Sequence, residues 1–315
     1  MRKILKILST FLFSVLTLLL LFYFYLQDYL KTTVSNPKVV YIPKGSTKSM
    51  YKYLNKKGYN LNILDYYLIK YYGYPQAGWL NLKEENLSRK EFFYKITHLK
   101  AFGIRFTIIP GETTLITIQN LAKRYNLSVT KLHTFYKKFA PYPEGVILAN
   151  TYTFYKGINE EKLMKTLIKN SLLKHKKLSL KYLKRYDKKE WFTKYVTIAS
   201  IITKEAGNKN EYKKISAVIQ NRLKKGMKLQ MDGTLNYGLN SHKRVTSKLI
   251  KDDNSSFNTY KIKGLPPYPV CIVDEIAIKS AIFPDKNDYL YFVKKDKNSH
   301  YFSKTYKEHL KNIKR

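Results

Sequence analysis

The sequence predicts an α+β protein with an N-terminal transmembrane helix, a region of small α/β units and a mixed α+β C-terminal domain. Three observations predict it. Residues 7–26 are an uncharged, mostly apolar run of about 20 residues, the length a helix needs to cross a bilayer. A strand–proline–helix pattern occurs twice in the first half of the chain. The second half holds two apolar segments of helical length, the second followed by a loop dense in polar and aromatic residues. The expected divisions are residues 1–6 (a cytoplasmic N-terminus), 7–26 (the membrane helix), 38–139 (the α/β region) and 140–315 (the C-terminal domain).

Composition excludes little but limits much. Hydrophobic residues make up 44% of the 315, enough for a sizeable core. Fifty-nine Lys and Arg stand against 22 Asp and Glu, a net charge of +37. Such a balance suits polyanionic neighbours. The lysines are nevertheless spread along the whole chain with abundant Asn, Ile and Tyr, as in a general composition bias. No nucleic-acid module is recognisable, so a nucleic-acid partner is not expected. The single cysteine, Cys271, rules out an intrachain disulfide and a cysteine-based zinc site. It lies in the apolar stretch Pro269-Val270-Cys271-Ile272-Val273, which favours packing over reactivity.

Arg2, Lys3 and Lys6 precede the apolar run and bias the N-terminus to the cytoplasm, with the bulk of the chain outside. A cleaved signal peptide is the competing reading, but it needs small residues at the cleavage site. No alanine occurs before Ala77, and the run ends in Tyr23-Phe24-Tyr25-Leu26, which suits a membrane interface. An uncleaved single-pass anchor in the cell (inner) membrane is expected, followed by a short linker, Thr32 to Lys38.

Tyr41-Ile42-Pro43, Thr47 and Leu54 match Ile108-Ile109-Pro110, Thr114 and Leu121 at a constant offset. Each copy reads as a strand ending at proline, a turn and a helix; Met50, Tyr53, Leu54 and Lys57 share one helix face, and Leu115, Ile118, Leu121 and Ala122 another. The pattern resembles LysM-type modules, which bind N-acetylglucosamine polymers. Two small α/β units without a ligand also explain it. Between the copies, Gln76–Leu82 reads as a turn into a strand, and residues 87–100 as a helix with Ser88 and Glu91 forming a capping box. Pro141, Pro143 and Gly145 mark the next domain. The Lys-rich stretch from Asn159 to Lys184 reads as a helix with a solvated face.

Residues 191–206 form an apolar helical segment with Gly207 as its stop, placing Glu205 in the last turn. There the negative end of the helix dipole disfavours the ionised carboxylate, and burial would raise its pKa further. A carboxylic acid kept protonated near neutrality can protonate a glycosidic oxygen. Position alone also fits a surface acid with Lys204 and Lys209 as counter-charges. A second helix, residues 212–225, carries Ile215, Val218, Ile219, Arg222 and Leu223 on one face. The following loop, Leu229 to Gly238, could serve sugar hydroxyls or be a plain loop. His300 and His309 are too far apart for a helical metal pair; His300 is expected to make a structural or cleft hydrogen bond.

Ordered motifs across nearly the whole chain resemble the endolytic murein transglycosylases of the MltG (YceG-like) type. They are Ala199-Ser200-Ile201-Ile202-Thr203-Lys204-Glu205, Asn221-Arg222-Leu223, Gly226-Met227 with Leu229-Gln230, then Asp232, Thr234 and Tyr237-Gly238. They continue through Asn258-Thr259-Tyr260 to Pro267, Asp288 to Val293, and His300-Tyr301-Phe302-Ser303; upstream, Ala77-Gly78 and Asn150-Thr151-Tyr152 also fit. The family usually reads Glu-Lys-Glu-Thr where this chain has Thr203-Lys204-Glu205-Ala206, and Ile272-Val273-Asp274 also departs from its pattern.

The resemblance implies a catalytic domain with Glu205 as the acid and substrate-binding residues at Gln230, Asp232, Thr234, Tyr237, Asn258 and Tyr260, with neither metal nor cofactor. It implies cleavage of the bond between N-acetylmuramic acid and N-acetylglucosamine to give 1,6-anhydro ends, terminating nascent strands beside penicillin-binding polymerases, though no residue identifies such a partner. Two rivals remain: a peptidoglycan-binding protein without catalysis, and a muramidase-type hydrolase with Asp232 as its second carboxylate.

Overall fold

The computed structural model describes residues 2–155 and 157–315, the first four of these by backbone only. Contacts divide the chain into two compact units that meet at Ile104 and Arg105.

The first unit opens with α1 (Arg2–Lys31), one N-terminal helix long and apolar enough to span a bilayer. Its apolar side chains from Ile7 to Tyr25 stand exposed, apart from half-buried Val15. The hydroxyls of Thr10, Ser14 and Thr17 each bond a carbonyl four residues back at 2.9 Å, which hides their polarity within the helix. The last turn packs on the unit: Tyr29 and Leu30 join its core, and the Arg89 guanidinium lies 4.8 Å from the Tyr29 ring.

The stretch expected as a linker is structured. β1 (Thr33–Val34) pairs antiparallel with β4 (Leu87–Ser88), and buried Asn36 accepts a hydrogen bond from the Leu87 amide and donates to the Glu84 carbonyl. Between these strands run β2 (Val39–Ile42), α2 (Thr47–Lys56), α3 (Ile63–Tyr72) and β3 (Gly78–Asn81), with β2 antiparallel to β3. Ser46 caps α2, and α4 (Arg89–His98) begins with the expected Ser88–Glu91 capping box, a device that together with its neighbours is worth about 1 kcal/mol. Met50 and Leu54 from α2, Ile69 from α3 and Phe92, Phe93 and Ile96 from α4 fill the core.

The same order recurs from Gly103, across the boundary and into the second unit. β5 (Gly103–Thr107), α5 (Thr114–Tyr125), α6 (Val129–Phe139) and β6 (Thr151–Tyr155) form another strand–helix–helix–strand set with its two strands paired. Pro43 and Pro110 both stand in the strand-to-helix connections, outside any helix. The sequence places the domain change near Ala140, whereas the contact boundary falls within β5, at the start of the second copy. The physical reason is a backbone zipper to residues 272–273. The Gly111 amide donates to the Ile272 carbonyl at 2.8 Å, the Ile272 amide to the Glu112 carbonyl at 2.9 Å and the Ala149 amide to the Val273 carbonyl at 2.9 Å. Cys271 is packed as expected, its thiol 3.4 Å from the Ser200 carbonyl and its pKa pushed far up by burial.

α7 (Glu160–Leu183) follows the expected span, with Asn159 as its N-cap. α8 (Lys188–Glu190) leads into a π-helical turn at Trp191–Val196 and then α9 (Thr197–Glu205). The Trp191 indole donates to His175 at 3.1 Å, and the Thr197 hydroxyl donates to the Phe192 carbonyl at 2.8 Å. α9 packs against α10 (Tyr212–Lys224); α11 (Ser247–Asp252) follows, and then α12 (Glu275–Ile282), which also packs on α9. A hairpin of β7 (Tyr291–Lys294) and β8 (His300–Ser303), followed by α13 (Tyr306–Ile313), ends the chain.

Candidate active site

Glu205 is the last residue of α9. Upstream, Ile198, Ala199, Ile201 and Ile202 are buried, so the helix is anchored by its apolar residues and its C-terminal end meets the loop from residue 229. A one-turn helix at Asp232–Thr234 lies against that end. The Gly233 amide donates to Glu205 Oε1 at 2.5 Å. A Cβ on Gly233 would stand 2.8 Å from that oxygen and 2.5 Å from Lys204 Cβ, so only glycine lets the loop approach this closely.

Burial pushes the Glu205 pKa up to about 7, and the Asp232 charge adds to the rise; the Gly233 N–H and the Arg222 guanidinium oppose it. The residue keeps a partly open face while protein atoms crowd its carboxyl, as a narrow cleft requires. That cleft measures about 230 Å³ and is lined by Glu205, Arg222, Gln230, Asp232, Tyr260 and His300 with their neighbours on the loop and on β7.

Of the six expected substrate-binding residues, three border this cleft. Gln230 and Asp232 are exposed, and the Tyr260 hydroxyl donates to Asp232 Oδ1 at 2.6 Å. Gln230 has φ +50°, and its amide is held by the Thr259 carbonyl at 3.1 Å. The others lie behind or beside it. Thr234 is fully buried, donating to the Met231 carbonyl at 2.7 Å and lying 3.0 Å from the Thr259 hydroxyl. Asn258 is likewise buried, donating to the carbonyls of Ile250 and Asp253 at 2.8 Å each. Both shape the loop from within. Tyr237 stacks on Phe257 with ring centroids 4.6 Å apart and borders a separate cavity of about 580 Å³, with Tyr136, Glu144 and Tyr268.

The sequence analysis assigns no site role to Arg222, Phe292, Lys294 or Glu211, and the hydrogen bond it expects of His300 goes to Glu211. Arg222 is buried on α10 and donates to the carbonyls of Leu290 at 2.6 Å and Leu229 at 2.6 Å, tying the loop and the hairpin to one helix. An arginine on the otherwise apolar face of a helix was the available signal. Thr203 returns its hydroxyl to the Ala199 carbonyl at 2.7 Å.

A family model of YceG-like proteins matches residues 40–315. The chain is 33% identical to an endolytic murein transglycosylase of Bacillus subtilis (strain 168), an alignment covering 89% of this chain and 84% of that protein. It is 32% identical to an endolytic murein transglycosylase of Streptococcus pneumoniae (strain ATCC BAA-255 / R6) over 54% of this chain and 31% of that much longer protein. Among solved structures, a YceG-like protein from Listeria monocytogenes matches with a TM-score of 0.57 at 27% identity, covering 87% of this chain and 97% of that one.

Proposed function

Since this chain belongs to the YceG-like family, we propose that it is an endolytic peptidoglycan lytic transglycosylase with Glu205 as its acid and base. The observation that carries the reading is the Glu205 carboxyl itself: at the end of α9, on a cleft, with a pKa near 7 and a single backbone N–H on Oε1. With Oε1 engaged by Gly233, the proton resides on Oε2, the oxygen left for substrate.

Glu205 protonates the oxygen between N-acetylmuramic acid and N-acetylglucosamine, and that bond breaks. The positive charge at the anomeric carbon is relieved by the substrate's own acetamido oxygen. Glu205, now anionic, takes the proton of the C6 hydroxyl as that oxygen closes a 1,6-anhydro ring, which restores the acid. The nucleophile is intramolecular and enjoys a large proximity advantage over water. No second carboxylate is needed, and Asp232, held by Tyr260, positions substrate and keeps the Glu205 pKa high. Gln230 and Tyr260 supply further polar contacts, while Thr234, Asn258 and Tyr237 hold the loop that presents them.

Location belongs to the same proposal. α1 anchors the chain in the cell membrane, with the rest on the extracytoplasmic side, and the strand–helix–helix–strand sets act as LysM-like, glycan-facing units. Because α1 is joined to the first unit by β1 without slack, that unit is held near the bilayer, where penicillin-binding polymerases extend new strands.

The test is mass spectrometry of digested peptidoglycan in ¹⁸O water. The native protein should release fragments ending in 1,6-anhydro-N-acetylmuramic acid without solvent oxygen, and Glu205→Gln should lose about 10²–10⁴-fold in rate. Equal activity of Glu205→Gln would reject the assignment; ¹⁸O in the new end would make the protein a hydrolase.

A further inference from the structure

The β7–β8 hairpin supplies one wall of the Glu205 cleft. Lys294 and His300 face each other across it, and both border the cleft with Phe292 and Val293. Its turn rests on the segment just after Glu205. A Cβ on Gly207 would stand 2.6 Å from the carbonyl carbon of Asn298, and the Asn208 side-chain Nδ2 donates to the Asn298 carbonyl oxygen.

Glu211, only 7% exposed, commits both its oxygens to one residue of this wall. Oε1 accepts the His300 backbone N–H at 2.8 Å, and Oε2 lies 2.8 Å from His300 Nδ1. A carboxylate accepts, so the nitrogen facing it, Nδ1, carries a proton; in the neutral ring Nε2 is then the acceptor. The Phe292 ring stands edge-on at 5.4 Å and fixes the imidazole plane. Among the described residues Nε2 has no hydrogen-bond partner, the side chain keeps 12% of its surface exposed, and the ring borders the cleft. A carboxylate that orients a histidine so that its far nitrogen faces a ligand is a common supporting arrangement.

We propose that His300 is a substrate-binding residue whose Nε2 accepts a hydrogen bond from a hydroxyl of the saccharide beside Glu205, with Glu211 as the positioning residue that fixes its tautomer. The inference rests on the transglycosylase reading.

The experiment uses the full chain in detergent with Glu205→Gln as the parent, which binds glycan without cutting it, and a peptidoglycan tetrasaccharide as the probe in calorimetry. Adding His300→Phe keeps the ring's bulk and removes the acceptor; affinity should fall about three- to tenfold. His300→Gln returns a polar amide at similar reach and should recover most of it. Glu211→Gln offers Nδ1 a donor as well as an acceptor, which frees the tautomer, and should weaken binding with little loss of thermal midpoint. In the Glu205 chain the His300→Phe loss should fall mainly on KM. Unchanged affinity in His300→Phe would overturn the proposal. So would equal losses of affinity and thermal midpoint in all three variants, which would mark the pair as a structural clasp. A parent that binds no saccharide removes the site, and cleavage by the Glu205 chain without such binding separates that failure from failure of the catalytic reading.

Discussion

Replacing Glu205 by Gln should make the protein more stable at alkaline pH while making it inactive. Burial sets the carboxyl's pKa at about 7 in the folded chain, against 4.5 for an ordinary glutamate. The folded state therefore holds a proton that the unfolded state has released between those values. By linkage, stability is fully present below pH 4.5, declines as pH rises toward 7 and stays low above it. At roughly 1.4 kcal/mol per pH unit the ceiling of the penalty is about 3 kcal/mol. Water reaching the partly open face lowers this to roughly 1–2 kcal/mol. Gln removes the titration, keeps a carbonyl oxygen for the Gly233 N–H and has nearly the same shape. Glu144, buried and also raised to about 7, contributes equally to both proteins and cancels. The assay is thermal unfolding of both chains in detergent at pH 4.5 and pH 8. Gln should raise the midpoint by several degrees at pH 8 and by little at pH 4.5. A difference that does not grow with pH, or a native chain that is the more stable at pH 8, would refute the argument.

Three further outcomes are expected. Asp232→Asn removes a charge that raises the Glu205 pKa, so the alkaline limb of the pH–rate profile should move to lower pH, with the rate at the new optimum within about tenfold; an unmoved limb would remove Asp232 from the electrostatics of the site. Gly233→Ala forces the loop off α9 because its Cβ meets Lys204 Cβ, an anchored atom; unfolding should show a loss of about 1–3 kcal/mol, and activity should fall with the broken amide bond, a pairing that Gly233→Ser would not restore. Protease added to spheroplasts should digest residues 32–315 and spare the intact cell interior; protection of that span would place the protein on the wrong side for peptidoglycan.

Features written in local pattern were legible. The capping box at Ser88, the helix capped by Asn159 and the position of Glu205 in a last turn each depend on residues within one or two turns of each other. The repeat was legible for the same reason, since each copy carries its own strand, turn and helix. Features made by distant residues were not. Nothing near Gly233 signals that its amide meets Glu205, and nothing near Glu211 signals His300. The linker reading of residues 32–38 failed because Asn36 and Val34 find their partners at residues 84–88. Thr234 and Asn258 are polar types in a polar loop, and their burial is set by the way the loop folds back on Thr259 and Asp253. A motif resemblance singles out such residues without saying which face the cleft and which hold the frame.

The wide turn at Trp191–Val196 has a consequence for how this chain can vary. A single π-helical turn is what an α-helix becomes when it accommodates one residue too many without losing its axis. Deleting one residue there would repair the regular ladder, and the helix would look better formed. Every side chain downstream would then swing by about 100° around the axis. Glu205 would leave Gly233 and the cleft, and one of its neighbours would take the place facing them. The irregular turn thus sets the phase of the helix, and a length change ten residues away from the acid should be as damaging as replacing it.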